Sequence, residues 1–236
     1  DIKLDDLQYI ADSSGKNEPT LKKFKILMNA IFKYAVIHDI IPPDMNKVSY
    51  LNIKKAGNPD RRDRMPFSTA EIQKLWKHKD ANGYCNVILM LIYTGCRISE
   101  LLALKKEDVN LQEKWFDIKK SKTAAGVRRV PIADKVVPFF EHWYTLNDCE
   151  YLISTPDGKP FEYRNYYDSY WKPLIEQLSM KHRPHDTRHT CVSLLAAAGI
   201  DERIIKKIVG HAGQGVTENV YTHYELESLH EAINKI

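Results

Sequence analysis

The sequence predicts a mainly α-helical protein with one small antiparallel β-sheet. Apolar residues recur at three- and four-residue spacing over most of the 236-residue chain, which is typical of amphipathic helices. Strand-forming residues flank a turn at 115–132, which predicts a hairpin. A content of 43% hydrophobic and 28% charged residues is ordinary for a folded globular protein.

Composition also argues against several classes of protein. No apolar run approaches the roughly 18 residues that a membrane span needs, and no signal-like N-terminus is present. The four cysteines lie far apart without a C-x-x-C pair, so neither a disulfide framework nor a cysteine zinc site is expected. We therefore expect reduced thiols in a cytoplasmic protein. The net charge of +4 is compatible with a polyanionic partner without requiring one.

The N-terminal residues 1–55 contain one strong helical pattern, from Thr20 to about Ile41, and a shorter one at 4–11. Asn17 and Pro19 are start signals for the longer helix, and Pro42-Pro43 ends it. A single helix of this length cannot bury its own apolar stripe. We therefore expect residues 1–55 to be the trailing part of a small helical domain.

Residues 56–66 predict a basic linker, because Gly, Asn and Pro alternate with charged residues. A solvated loop and a segment that follows a phosphate backbone are both open interpretations of this composition. On the second interpretation, the candidate DNA contacts are Lys54, Lys55, Arg61, Arg62 and Arg64.

Residues 67–236 predict a larger, mostly helical domain. Ser68 and Glu71 form a capping-box pattern that opens a helix to about Lys77. Apolar residues at 86–93 predict a buried helix or strand, and the helix is favoured because the segment leads to a second helix at 98–103. Strands at 115–118 and 128–132 flank the turn at 123–126. Further helices are predicted at 134–146, 162–179, 186–198, 201–209 and 217–234.

Two basic motifs lie in the first half of this domain. In TGCRISEL, Gly95 allows a sharp turn that places Arg97 at a helix start. An arginine at this position opposes the helix dipole, so its charge is expected either to meet a bound anion or to pair with Glu100. The hairpin carries Lys119, Lys120 and Lys122 on one arm and Arg128-Arg129 on the other. Such a tip is either a solvated turn or an element that enters a DNA groove.

A third motif, HDTRHT, places His185, Arg188 and His189 on one face of a helix. The two histidines have the spacing of a zinc pair, so a metalloprotease is an alternative. However, Asp186 replaces the glutamate of H-E-x-x-H, and Arg188 puts a cation between the ligands. The fourth motif is VGHAG with His211, followed by Tyr221 in VYTHY.

Together these four motifs resemble the tyrosine recombinase (phage integrase) family in order and approximate spacing. The resemblance covers about residues 67–225 as the catalytic domain, with a C-terminal tail helix to 236, and more weakly 1–55 as the end of a core-binding domain. It implies a site-specific recombinase that integrates or excises a mobile element, as phages and conjugative transposons do. DNA strands would be cut and rejoined through a 3′-phosphotyrosyl intermediate, with no metal, ATP or other cofactor.

The resemblance also implies a role for each matching residue. Arg97 and Arg188 correspond to the two catalytic arginines, Lys122 to the hairpin lysine, and His185 and His211 to the two catalytic histidines. Tyr221 corresponds to the nucleophile, and Glu100 to the acidic residue that supports Arg97. Lys120, Arg128 and Arg129 are further candidate DNA contacts.

The implied partners are double-stranded DNA at element ends, further copies of this chain and possible accessory DNA-bending or excision factors. The apolar stripe Leu226, Leu229, Ile233 and Ile236 either packs on its own domain or docks into a neighbouring subunit of a tetramer. The family implies a bacterial, nucleoid-associated protein. Two other functions stay open: a type IB topoisomerase-like enzyme, and a DNA-binding protein whose active site has decayed.

Overall fold

The computed structural model describes residues 2–54, 65–121, 126–210 and 226–236. The chain divides into two compact units, Asp1–Asp63 and Arg64–Ile236, and each unit has its own hydrophobic core. The predicted fold class is confirmed, because helices dominate and the sheet is a three-stranded antiparallel one.

The first unit contains helices α1 (Leu4–Ser13) and α2 (Glu18–Ile37), followed by short 3₁₀ turns at Pro43–Met45 and Val48–Tyr50. The start of α2 is the predicted one, since the Asn17 side chain accepts a hydrogen bond from the Thr20 N–H at 3.1 Å. The helix ends a few residues earlier than the sequence pattern suggested.

The core of this first unit is small, and α2 leaves a second apolar face in solvent. Its buried residues are Leu7, Ala11, Leu21, Phe32, Val48, Leu51 and Ile53. The exposed apolar residues of α2 are Ile26, Leu27, Ile31, Tyr34 and Ile37, each at least half exposed. This exposure agrees with the expectation that the segment does not bury its own stripe.

The second unit is built around one buried helix. Helix α3 (Thr69–His78) begins at the predicted capping box, and α4 (Gly83–Thr94) is buried from Cys85 to its end. Helix α4 packs against α3, α6 (Val137–Thr145) and α9 (Pro184–Ala197). The short helix α5 (Ile98–Leu102) follows directly, so the turn between α4 and α5 is held on the central element of the fold.

The sheet consists of β1 (Val109–Asn110), β2 (Trp115–Ile118) and β3 (Arg128–Pro131) in that order. Strand β1 was not predicted, because two residues are too few to show an alternating pattern. In the register of β2 and β3, Ile118 pairs with Arg128 and Asp117 with Arg129. Side chains alternate across a strand, so Arg128 faces the interior and Arg129 faces solvent.

The second unit also contains α7 (Tyr163–Tyr166), a π-helical turn at Tyr167–Trp171, α8 (Lys172–Gln177), α10 (Glu202–Val209) and α11 (Leu226–Ile233). Short 3₁₀ turns lie at Lys106–Asp108 and Asp134–Val136. The helix predicted over 162–179 is therefore interrupted by a π-turn. Tyr166 and Tyr170 stack on each other there, and both pack against Phe161. Helix α9 begins two residues earlier than predicted, at Pro184, which suits the first turn of a helix.

Helix α11 packs on its own unit, against β3 and α10. Leu229, Ala232 and Ile233 are buried, and the Asn234 side chain accepts a hydrogen bond from the Asp134 N–H at 2.8 Å. The first half of the helix predicted over 217–234 lies outside the described residues. None of the helices in the described ranges combines the length and hydropathy needed to cross a bilayer.

Gly95 lies in close contact with residues of two other helices. It caps α4 at a φ of +62°, a left-handed conformation that favours glycine. A Cβ atom added there would lie 2.8 Å from Val209 Cγ1 and 2.9 Å from Cys191 Sγ. The absence of a side chain therefore lets the turn after α4 touch α9 and α10 at once.

We expect Gly95→Ala to lower the free energy of unfolding by about 2–4 kcal/mol, since strain at positive φ and overpacking add together. Gly158→Ala is the matched control, because Gly158 also has a positive φ (+74°) but nothing within 4 Å of the added Cβ. That variant should lose only about 1 kcal/mol. Urea denaturation measures both, and equal losses would show that the contacts around Gly95 are not close.

Candidate active site

A buried carboxylate, Glu100, lies at the centre of the site. Its side chain is 4% exposed and sits in the first turn of α5. It accepts hydrogen bonds from the Arg97 backbone N–H at 2.9 Å, from Arg97 Nη1 at 2.6 Å and from Ser121 Oγ at 3.3 Å. Arg97 is the N-cap residue of α5, as the sequence predicted. The carboxylate therefore fixes both ends of Arg97.

Arg128 reaches the same carboxylate from the sheet, and this corrects its prediction as a DNA contact. Its guanidinium is 2% exposed and lies 3.3–3.5 Å from the Glu100 oxygens. It also donates to the backbone carbonyls of Gly126 at 2.9 Å and Ile208 at 2.8 Å. The prediction treated Arg128 as exposed because it is charged. The alternation of side chains along β3 places Arg128 in the interior of the domain.

Burial would raise the pKa of Glu100, but the Arg128 charge and the hydrogen bonds from Arg97 outweigh it. The net effect holds the pKa of this carboxyl below its usual value of 4.5. Glu100 is therefore ionised at neutral pH although it is almost fully removed from water.

Arg188 approaches the cluster from α9 and is the most buried arginine of the site, at 1% exposure. Its Nη1 donates to the Gly95 carbonyl at 3.0 Å. Its Nε and Nη2 are buried and have no hydrogen-bond partner among the residues that the structure describes. Burial and the nearby charges of Arg97 and Arg128 lower the pKa of Arg188 to about 10, so it is still protonated at neutral pH.

His185 and His189 lie one turn apart on α9, as predicted. Their rings meet edge to face with centroids 4.9 Å apart, and His185 is exposed whereas His189 is half-buried. Within the described ranges, no group of three or more His, Cys, Asp or Glu side chains is arranged to hold a metal ion.

A group of side chains around His182, which sequence reasoning missed, holds the start of α9. The buried His182 side chain lies 3.1 Å from Glu71 Oε1 and stacks on Phe67 with centroids 3.8 Å apart. Asp186 accepts from the Arg183 N–H at 2.8 Å. These contacts join α9 to the capping box of α3, and their only sequence signal was the capping box itself.

Among the described residues, the predicted DNA contacts Lys54, Lys120 and Arg129 are not part of this cluster. Lys54 and Lys120 are exposed. Arg129 is solvent-facing, but it donates to both Asp117 carboxylate oxygens at 3.0 and 3.1 Å and stacks on Trp115. Lys119, next to Lys120, is in contact with Asp108. The predicted residues Lys55, Arg61, Arg62, Arg64, Lys122, His211 and Tyr221 lie outside the described residues.

The arrangement is suited to holding an oxyanion. Two arginines contact the Glu100 carboxylate and a third, Arg188, lies near them, so these four side chains carry a net charge of +2. Two N–H-bearing nitrogens of Arg188 lack a partner in the described part of the chain, and leaving buried donors unpaired is costly. A guanidinium fork matches the paired oxygens of a phosphate group.

Comparison with known proteins identifies the family. The model of the phage integrase family matches residues 67–227, so the chain belongs to that family. Tyrosine recombinase XerC of Proteus mirabilis is 30% identical over 74% of this chain and 62% of its own length. Tyrosine recombinase XerA of Pyrococcus horikoshii is 29% identical over 77% of this chain and 65% of its own length. The chain thus spans less than two thirds of these relatives.

Solved structures share the fold at low identity. The Tn1549 transposon integrase in complex with circular intermediate DNA matches with a TM-score of 0.76 and 21% identity, over 96% of this chain and 83% of that one. A lambda integrase dimer bound to a COC′ core site matches with a TM-score of 0.72 and 15% identity, over 94% of this chain and 64% of that one.

We expect Glu100→Gln to lower the free energy of unfolding at pH 7 by about 3 kcal/mol, because it leaves Arg128 buried without a counter-charge. The folded-state pKa of Glu100 is depressed, so its stabilisation is complete above the unfolded pKa and is lost as pH falls through the folded one. The stability difference between wild type and variant should therefore shrink as the pH falls below about 4.5.

Urea denaturation between pH 7 and pH 3 measures this difference. Glu150→Gln is the control, since Glu150 forms an exposed pair with Lys105 and should contribute less than about 1 kcal/mol. A pH-independent difference between wild type and Glu100→Gln would contradict the ionised state of the carboxyl.

Proposed function

We propose that this chain cuts and rejoins DNA strands as a site-specific recombinase of the tyrosine type. The observation that carries the proposal is the pair of unpartnered, buried nitrogens of Arg188 beside Arg97 and Glu100, on the motifs that the family places in this order. A phosphodiester of DNA is the anion that such a site would hold.

The two arginines suit the transition state of phosphoryl transfer. Attack on a phosphodiester builds negative charge on the non-bridging oxygens, and preorganised donors in a buried site stabilise that charge. Arg188 is fixed by the Gly95 carbonyl and Arg97 by Glu100, so neither guanidinium has to reorganise as charge develops. Removal of one such donor costs on the order of 10²–10³ in rate in other enzymes.

The chemical step needs a nucleophile and two proton transfers. The Tyr221 hydroxyl would attack phosphorus, the bond from phosphorus to the 5′-oxygen would break, and a 3′-phosphotyrosyl ester would form. His185 would accept the tyrosine proton, Lys122 would protonate the departing 5′-oxygen, and His211 would donate to the phosphate. The 5′-hydroxyl of a second strand would then reverse the attack, so the ester conserves the bond energy without ATP.

The sequence neighbours of Lys122 and His211 contact residues of the arginine cluster, and this supports the roles proposed for these two residues. Ser121, which precedes Lys122 in sequence, donates to Glu100. Ile208, three residues before His211, accepts from Arg128. The hairpin and the end of α10 therefore both border the arginine cluster.

Double-stranded DNA is the partner that this chemistry requires. Both of the solved structures named above were determined with DNA. On this proposal, residues 1–55 are the end of a core-binding domain, 56–66 a linker along the DNA and 67–236 the catalytic domain. Lys54, Lys55, Arg61, Arg62, Arg64 and Lys120 remain the proposed DNA contacts, and the protein would work at the bacterial nucleoid.

Strand exchange joins two duplexes, so we infer that several copies act together, as a tetramer. In this structure α11 packs on its own unit. Exchange of that helix between subunits would require it to leave this position first. Accessory DNA-bending or excision factors would then select the direction of the reaction.

Covalent trapping tests the proposed chemistry. End-labelled DNA from the element's termini, nicked near the crossover point, is incubated with the protein in EDTA and resolved on a denaturing gel. We expect an adduct with wild type and with Tyr224→Phe, and none with Tyr221→Phe, because only Tyr221 would supply the attacking oxygen.

Each other result has a defined meaning. An adduct that persists in Tyr221→Phe would assign the nucleophile elsewhere. Loss of the wild-type adduct in EDTA would contradict the metal-independent mechanism. Tight DNA binding without an adduct would support a non-catalytic DNA-binding protein.

A further inference from the structure

Arg128 is a buried arginine to which the recombination chemistry described above gives no part. It is the first residue of β3, and its side chain is 2% exposed. All three of its side-chain nitrogens donate hydrogen bonds, to Glu100, Gly126 and Ile208. A charged group removed from water this completely needs such compensation, and its donors are occupied within the chain.

The three acceptors of Arg128 belong to three separate segments. Glu100 is in α5 and holds Arg97, Gly126 is in the hairpin that carries Lys122, and Ile208 is near the end of α10, shortly before His211. One rigid guanidinium therefore connects the backbone of the hairpin and of α10 to the carboxylate that orients the first arginine.

Arg128 also sets the charge that the site presents. Without it, Arg97 would be the one arginine that is hydrogen-bonded to Glu100 among the described residues, and the cluster of Arg97, Arg188 and Glu100 would carry +1 instead of +2. The carboxylate would then be free to rotate away from Arg97. It now accepts hydrogen bonds from the Arg97 backbone N–H at 2.9 Å and from Nη1 at 2.6 Å.

We propose that Arg128 is a positioning residue that acts through Glu100: it fixes the carboxylate, and thereby Arg97, and preserves the positive charge that binds the scissile phosphate. This inference rests on the proposed recombinase function. Arg128 would thus act inside the protein, and not as the contact with DNA that the sequence suggested.

The test compares Arg128→Gln, Glu100→Gln and the double variant Glu100→Gln/Arg128→Gln. Arg164→Gln is the control, since Arg164 forms an exposed pair with Asp168. We measure the single-turnover rate of adduct formation on nicked DNA at saturating protein, the DNA dissociation constant with its salt dependence, and the unfolding temperature. A separate readout that needs no catalysis is the rise in unfolding temperature caused by added sulfate.

We expect Arg128→Gln to slow adduct formation about 10–100-fold, less than the roughly 10²–10³-fold cost of losing a donor outright, because Arg97 stays present but is less well positioned. The DNA dissociation constant should stay within about threefold, because Arg128 itself would not touch the phosphate. The double variant should be no slower than Arg128→Gln, because an effect that passes through Glu100 is lost only once when either partner is removed. Sulfate should stabilise wild type and the double variant more than Arg128→Gln. Arg164→Gln should match wild type in every assay.

Three results would overturn the proposal. An unchanged adduct rate in Arg128→Gln excludes positioning. Weaker DNA binding with a smaller salt slope, and rate losses that multiply in the double variant, would indicate a phosphate contact that is independent of Glu100. A rate loss that is fully explained by the fraction of unfolded protein would indicate a purely structural role. If Arg128→Gln does not fold, the comparison is repeated with Arg128→Lys, which keeps the charge. If wild type itself forms no adduct, the recombinase proposal fails, and the sulfate comparison still decides the role of Arg128.

Discussion

The structure of the site depends on one buried carboxylate. Glu100 is ionised at 4% side-chain exposure, a state that is stable only while positive charge and N–H groups surround it. Arg97 and Arg128 supply those groups from α5 and β3. Because the charge of the carboxylate has to be compensated, Glu100 holds the start of α5 and strand β3 together. Arg97 and Arg128 are both fixed by hydrogen bonds to this one carboxylate.

Arg188 shows the opposite condition, a cation whose compensation is incomplete in the described part of the chain. It lies near two other arginines, its pKa is lowered to about 10, and two of its nitrogens have no partner there. A folded protein retains such a group at a cost in stability, and perturbed groups of this kind concentrate at functional sites. A bound phosphate would supply both the missing acceptors and the missing negative charge.

Much of this architecture could be predicted from the sequence. Caps at Asn17 and Ser68, the αL position of Gly95 and the apolar run of α4 are local signals, and each predicted the correct element. The position of Arg97 at a helix start followed from Gly95 in the same way. Family resemblance then supplied the roles that no local pattern carries.

Long-range pairing could not be predicted in the same way. Arg128 and Arg129 look alike in sequence, yet one is buried against Glu100 and the other pairs with Asp117 in solvent. The register of β2 and β3 decides between them, and register depends on which face of the sheet meets the core. His182 was missed for the same reason, since its contact with Glu71 joins residues that are 111 positions apart.

The central claim is that the arginine cluster around Glu100 binds the scissile phosphate. A crystal structure of the Tyr221→Phe variant with duplex DNA from the element's end tests it most directly. The account predicts a backbone phosphate whose non-bridging oxygens accept from Arg188 Nε and Nη2 and from Arg97, with Arg128 still on Glu100. A phosphate bound elsewhere, with those Arg188 nitrogens paired to groups of the protein, would contradict it.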